Sequence, residues 1–481
     1  MSQAARIRRN SLFSFLSISL RLIANVLVFW VIARFYGPEI FGQFTLAHTI
    51  ATLFILFADF GFDFLLTTEI ARDRSNASVL FQQYFSLKII FSIAAILGMW
   101  LIALFGDLSP QSRILILIFS LYMVFTTLTN FLYALFKGYE SLQYETKVSF
   151  FVNVGLLILV SLLVIAKANI IVIALAFIVT RILGFSIGVR FSFKVMPEIT
   201  FQMNYQNWKD IKEKVLVFGF HLFFSYLFFQ LDTVLIAFFK GDYEVGIYQS
   251  VFKLIVLPLV VPEILINALL PVLSRLNNEN KVQWKRVGFL MNKVLISVGL
   301  PISIVFFIYA DQIIHIVYGT EQYAEAIPVL KIFAVILLIR FSLEAFALML
   351  TTSNRHKVRM YVVIAAASIN FLTNIFIIPK YGIVGAASVS LLTNFFVAIA
   401  FFMTTMPFFA EWMINVKNFF FFTFSLILFY LFWIYNSLSV FIGGPVILLL
   451  LFIFSYFIVF SIKERELIFS NDFKLTLIKK F

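Results

Sequence analysis

Apolar runs of about twenty residues recur from one end of this chain to the other. That feature limits the fold more than any other. The hydrocarbon core of a bilayer is about 30 Å thick, and a helix crosses it in roughly 20 residues. Inside lipid no water satisfies backbone polar groups, so an open sheet is excluded and each run is read as a helix. Candidate spans cover residues 11–33, 40–65, 80–104, 114–136, 146–166 and 169–193 in the first half. The second half offers 215–238, 245–273, 287–309, 326–350, 358–378 and 383–406, and a last pair covers 416–435 and 441–462. The expectation is an all-α polytopic membrane protein of about fourteen helices, at the length a bilayer demands. The first run, Ser11 to Ile32, is too long for a signal-peptide core and has no small-residue cleavage site, so it is read as a permanent span.

Composition narrows the function classes. Hydrophobic residues make up 62% of the 481, charged residues 13%, and the mean hydropathy is +1.00. With the connections this short, no soluble catalytic domain fits. The chain has no cysteine, which excludes disulfides, thiolate nucleophiles and thiolate metal sites. Its four histidines (His48, His221, His315, His356) have no metal-ligand spacing, and there is no phosphate-binding loop. We therefore expect a transporter that is not an enzyme and has no metal or cofactor. The net charge of +13 does not point to nucleic acid, because the basic residues crowd into short loops. There they set topology and meet anionic lipid head groups. With the N-terminus cytoplasmic, 25 of the 37 Lys and Arg fall in inside segments and 5 in outside loops. Both termini are expected in the cytoplasm.

The chain repeats itself. Gly37, Gly42 and Phe44 after the first span match Gly241, Gly246 and Tyr248 after the seventh, each at an offset of 204. Lys167 and Lys380 open the sixth and twelfth spans, 213 apart. Two like-oriented six-helix halves follow, related by an axis along the membrane normal. The expected organisation is an N-terminal lobe over 1–195, a cytoplasmic amphipathic linker, expected as a helix, over 196–214, a C-terminal lobe over 215–407, and an extra helix pair with a cytoplasmic tail over 408–481.

A charge at bilayer depth costs at least about 2.5–3.5 kcal/mol, so charged residues within spans single themselves out. The positives are Arg21, Lys88, Arg181, Lys253, Lys293, Lys331 and Arg340; the negatives are Asp59, Asp63, Asp232, Glu263 and Glu344. Ser14, Ser17, Arg21 and Asn25 form one polar stripe on the first span. Thr45, Thr49, Thr52, Asp59 and Asp63 form another on the second, and His221, Ser225 and Asp232 a third on the seventh. Lys88, Lys293 and Lys331 lie within two turns of a span end, where snorkelling accounts for them. Asp59 and Asp63 either pair with Arg72 or Arg74 or face a cleft; Arg340 and Glu344, one turn apart, either satisfy each other or serve a site. Pro258 and Pro262 bend the eighth span beyond Lys253.

This ordered set of motifs resembles the bacterial polysaccharide flippases of the multidrug/oligosaccharidyl-lipid/polysaccharide exporter superfamily. The residues that carry the likeness are Arg34, Gly37, Gly42 and Phe44; Asp59 and Gly61 with Arg72; Asp232, Gly241, Gly246, Tyr248 and Lys253; Tyr318 and Gly319; and Pro379 to Gly385. They span about residues 6–406. The resemblance implies two six-helix lobes in a V around a central cavity. It also implies an oligosaccharide on a polyprenyl diphosphate, an O-antigen or similar unit, flipped to the outer leaflet of the bacterial inner membrane. Other polysaccharide assembly proteins would be partners. Arg21, Asn25, Arg181, Lys253 and Arg340 would bind substrate. Asp59, Asp232 or Glu344 would carry a coupling H+ or Na+. The extra helix pair departs from twelve-span members of the family. A multidrug or other small-molecule exporter of the same superfamily is the alternative, although its cavities favour acidic residues. A membrane-embedded polymerase or acyltransferase is disfavoured by the short outer loops.

Overall fold

The apolar runs fold as helices, with no strand among the described residues. The computed structural model describes residues 3–205, 219, 230–319, 321–353, 355–413, 416–434, 438–462 and 464–465. Ten helices among them are long and apolar enough to cross a membrane, and the chain is an all-α, multi-pass membrane protein. The first two expected spans form one helix, α1 (Gln3–Asp59), bent at Gly37, whose φ is 76°. A glycine tolerates this left-handed backbone, so the chain turns with no separate loop. After a break at Phe60 and Gly61 comes α2 (Phe62–Arg72), followed by α3 (Ala77–Phe105), α4 (Pro110–Gly138), α5 (Leu142–Ile165) and α6 (Ile170–Val195). A helical stretch over residues 230–240, α7, is the described part of the seventh span; His221 and Ser225 lie outside the described residues.

The expected eighth span breaks where its prolines predict. It forms α8 (Asp242–Val256) and α9 (Val260–Glu279), with Pro258 in the turn. Next come α10 (Lys281–Ile308), α11 (Ala310–Tyr318), α12 (Ala326–Thr352) and α13 (His356–Met413). The last of these joins the eleventh and twelfth expected spans across a bend at Gly382, φ 56°. The final pair is α14 (Val416–Ile434) and α15 (Val440–Phe454). The tail beyond residue 465 lies outside the described residues.

The chain divides into two compact units. The first holds residues 1–253 and 374–383; the second holds 254–373 and 384–481. In the first, Phe62, Leu66, Phe81, Tyr84, Phe131 and Phe136 are fully enclosed. Large apolar side chains such as Leu101, Leu104 and Phe105 stand outward on α3, as a lipid-facing helix requires. Polar side chains turn inward: Thr45, Thr49, Ser86, Ser92 and Asn153 are all buried. Many satisfy themselves locally, as when the Thr45 hydroxyl donates to the Phe41 carbonyl at 2.7 Å.

The repeated glycines pack on each other within this unit. A Cβ on Gly42 would overlap the Asp242 carbonyl oxygen, and a Cβ on Gly246 would overlap that of Pro38. The 204-residue offset maps Pro38 onto Asp242 and Gly42 onto Gly246, so the crossing is its own image. Asp242 also accepts hydrogen bonds from Ser109 Oγ (2.5 Å) and Ser112 Oγ (2.9 Å). Glu244 Oε2 accepts the Ile383 N–H at 3.2 Å. These contacts fix the start of α8, the helix that carries Lys253.

The described part of the linker is not the helix expected there. Residues 197–205 are not helical and lie along α3. Ser78 Oγ donates to the Glu198 carbonyl at 3.3 Å, Gln82 Nε2 to Thr200 Oγ1 at 2.5 Å, and the Asn204 N–H to Ser86 Oγ at 2.7 Å. Pro197 removes a donor a helix start would use elsewhere, and the i, i+4, i+8 stripe on α3 supplies the partners instead. Residues 206–214 lie outside the described residues.

In the second unit α14 and α15 pack on α10 and α11. Tyr309 and Phe421 are buried between them with Ile447 and Leu451, and a Cβ on Gly443 would overlap the Tyr309 hydroxyl. Lys293 donates to Glu464 at 3.0 Å. It is an ion-pair partner inside the fold, where snorkelling was expected.

Candidate functional site

Four helices of the first unit bring two cations onto aromatic faces. Lys253, near the end of α8, holds its ammonium 3.8 Å from the centroid of Phe29 on α1. The Phe29 ring stands edge-on to His48 at 4.9 Å. His48 lies 5.6 Å from Tyr122 on α4. Arg181 of α6 sits over Tyr122, 5.3 Å from its centroid, and a guanidinium N–H reaches the Tyr122 hydroxyl at 3.4 Å. Phe177, one turn before Arg181, packs against Phe29, His48 and Tyr122. A desolvated cation over a ring gains about 2 kcal/mol, less than a carboxylate or phosphate partner would supply. Among the described residues neither Lys253 nor Arg181 forms an ion pair, and Arg181 Nε is buried with no hydrogen-bond partner. A buried donor left unmade costs about 1–3 kcal/mol. The cluster thus holds two cations with unmet capacity for an acceptor among the described residues.

Arg21 is exposed on α1, and Asn25 one turn later is half-buried. Arg21 and Arg181 both act electrostatically on Tyr133 of α4, which brings two of the three arginines of the expected substrate set to one region. Ser17, on the same stripe, is buried. Arg340 and Glu344 belong to the second unit, one turn apart on α12, and Glu344 acts on Arg340.

The carboxylates find different partners from those expected by sequence proximity. Asp59 and Asp63 bind Lys88 of α3, at 2.9 Å for Asp59, while Arg74 pairs with Glu140 at 3.8 Å. Lys88 is not a snorkelling residue: its side chain is 0% exposed. It lies eleven residues into α3, about 16 Å along the axis. Asp232 is buried and accepts two hydrogen bonds, from Tyr248 OH at 2.6 Å and Asn374 Nδ2 at 2.9 Å. Sequence reading missed His48, Lys88 and Asn374 as site residues. Charge at depth had singled out Lys88 without a site role, and the repeated glycine motif had singled out Tyr248. The second unit adds an apolar cavity of about 350 Å³ lined by Leu300, Ile304, Phe307, Leu338, Phe422 and Phe429.

Comparison with known proteins follows the same lines. Residues 7–277 match the family model described as polysaccharide biosynthesis protein. Residues 218–376 match the MatE model. A 157-residue stretch is 28% identical to the teichuronic acid biosynthesis protein TuaB of Bacillus subtilis (strain 168). It covers 30% of this chain and 32% of the relative's length. Among solved structures, the lipid II flippase MurJ in an inward closed conformation superposes with a TM-score of 0.73 at 17% identity, over 95% of this chain and 99% of that one. An inward-facing multidrug resistance MATE family transporter gives 0.68 at 13% identity, over 83% and 99%. At such identities the two structures speak for the fold alone.

Proposed function

The chain belongs to the polysaccharide biosynthesis protein family, and on that footing we propose that it flips a polyprenyl-diphosphate-linked oligosaccharide from the cytoplasmic to the outer leaflet by alternating access. The observation that carries this reading is the pair Lys253 and Arg181, held on aromatic rings with no counter-ion among the described residues. A diphosphate supplies the missing acceptors, and a guanidinium binds phosphate through two parallel hydrogen bonds. A cationic drug, the cargo of a multidrug exporter, would be repelled from the same place. Arg21 and Asn25 extend the polar stripe toward a saccharide head. The apolar cavity of the second unit has the chemistry of an isoprenoid segment. The relative's part in teichuronic acid synthesis supports a surface polysaccharide unit, of which O-antigen is one case. No catalytic residue is required. Coupling to H+ or Na+ in this reading falls to the carboxylates within the spans, Asp59, Asp232 and Glu344 among them. The home of the protein in this reading is the bacterial inner membrane, with both termini in the cytoplasm.

The test is a flip assay in proteoliposomes loaded with the lipid-linked oligosaccharide and probed by an impermeant glycosidase. Added protein should expose the protected pool. A pool that stays protected under any ion gradient, while a cationic dye is moved, would overturn the reading in favour of drug export.

A further inference from the structure

Away from the cationic cluster, the break between α1 and α2 gathers three ionisable side chains. α1 ends at Asp59, and the chain turns through Phe60 and Gly61, with φ of 41° and 90°. α2 then begins at Phe62. A phenylalanine in the left-handed region is a strained residue that its surroundings must hold. The turn sets the Asp63 N–H against Asp59 Oδ1 at 3.1 Å. The buried Lys88 ammonium donates to Asp59 Oδ1 at 2.9 Å and to Asp63 Oδ1. Its remaining face meets the Phe131 ring at 5.3 Å. Phe91 of α3 seals the turn, packing on Phe57, Phe60 and Phe62.

Two carboxylates against one ammonium leave one negative charge over. The three groups act on one another, and among the described residues of α1, α2, α3 and α4 no further charged side chain bears on them. The next ionisable pair, Glu69 and Tyr84, is bonded to itself at 3.0 Å. An unbalanced charge at this depth is expensive, and two carboxylates sharing a site do not both ionise readily. Asp59 Oδ1 accepts two donors where Asp63 Oδ1 accepts one. The Asp63 side chain keeps 22% of its surface exposed against 15% for Asp59. Asp63, with fewer donors and the more exposed side chain, is therefore the better place for the proton.

We propose that the Asp59–Lys88–Asp63 triad holds one exchangeable proton on Asp63 and that this proton drives part of the transport cycle. In the uptake step an O–H bond forms at Asp63 Oδ2, a hydronium ion gives up its proton, and a water molecule leaves. In release the same bond breaks, a water molecule takes the proton as hydronium, and for that interval the triad carries its full negative charge. The strained turn then bears the repulsion between the two aspartates, which gives the proton a mechanical handle on the α1–α2 break. Only the link to transport rests on the flippase reading; the proton site itself does not.

Infrared difference spectra of the full-length protein in lipid nanodiscs, recorded across pH, test the proposal. The parent should display a protonated carboxylic acid band. Asp63→Asn and Asp59→Asn should each abolish it, since either leaves one carboxylate balanced by Lys88, and both should fold because the buried charge is then neutral. Asp232→Asn should leave the band in place. A band that survives Asp63→Asn, or that disappears only in Asp63→Asn and persists in Asp59→Asn, would overturn the shared-charge site. In proteoliposomes, Asp63→Asn should flip lipid-linked oligosaccharide at a rate indifferent to a proton gradient that speeds the parent. A gradient response kept by Asp63→Asn would sink the coupling role. If the parent carries the band but flips nothing, the flippase reading fails and the proton site stands.

Discussion

Lys88 and Lys253 are both lysines at bilayer depth, yet their surroundings make opposite predictions for the same change. Lys88 is the one cation between two carboxylates. Its replacement by methionine leaves buried negative charge uncompensated, and breaking such a pair costs about 3–5 kcal/mol. Lys88→Met should lower the thermal unfolding midpoint in detergent by many degrees. Lys253 balances no carboxylate among the described residues and rests on Phe29. Lys253→Met should leave the midpoint unchanged or raised. Hydrogen bonds to a charged group are worth about 1.5–3 kcal/mol, roughly a tenfold to hundredfold factor. Lys253→Met and Arg181→Ala should each slow flipping by that factor while the amount of protein in the membrane stays normal. Arg21→Ala, at an exposed position, should slow it less. Flip rates and membrane levels measured side by side check all three, and full-rate flipping by Arg181→Ala would remove that arginine from the site.

At the scale of the element, the crossing of α1 and α8 at Gly42 and Gly246 is the contact least able to absorb a side chain. Each glycine faces a carbonyl of the other helix, and backbone does not yield as a flexible side chain does. Overpacking of this kind costs about 1–3 kcal/mol. Gly42→Val and Gly246→Val should destabilise the protein to a similar degree, because the contact is its own image, and unfolding midpoints in detergent read this directly. The glycine pattern was legible in the sequence because both copies keep the same internal spacing. The helices were legible because lipid leaves a twenty-residue apolar run no other structure. The break at Pro258 was legible because a missing N–H has a local effect. The partner of Lys88 was not. Its position within α3 pointed to a span end, and what decides its role is a pair of aspartates on other helices, which no periodicity encodes. The strap over residues 197–205 was hidden for the same reason: its partners Ser78, Gln82 and Ser86 belong to α3. For the cationic cluster, charge at depth picked out Lys253 and Arg181. The rings beneath them could not be chosen from the 64 phenylalanines and 18 tyrosines of the chain.

At the scale of the molecule, orientation is what turns a symmetrical carrier fold into a directional reading. The charge bias of 25 inside against 5 outside acts during insertion, when short loops rich in Lys and Arg stay on the cytoplasmic side. The direction of flipping proposed above depends on it, because the cytoplasmic leaflet is where the lipid-linked unit must enter. The absence of cysteine makes this directly measurable, since any single cysteine introduced is the only thiol. Lys137 and Lys167 bracket α5 and so must lie on opposite faces. Arg355 and Lys240 extend the test to the second half. In intact cells with a permeable outer envelope, an impermeant maleimide should label Lys167→Cys and Lys240→Cys. It should reach Lys137→Cys and Arg355→Cys only after the inner membrane is opened. The inverse pattern would turn the protein over, place the entry side outside, and make an importer of the same cluster. Labelling of both members of the Lys137 and Lys167 pair from one side would mean that α5 does not cross the membrane at all, which its 24 apolar-rich residues argue against on length alone.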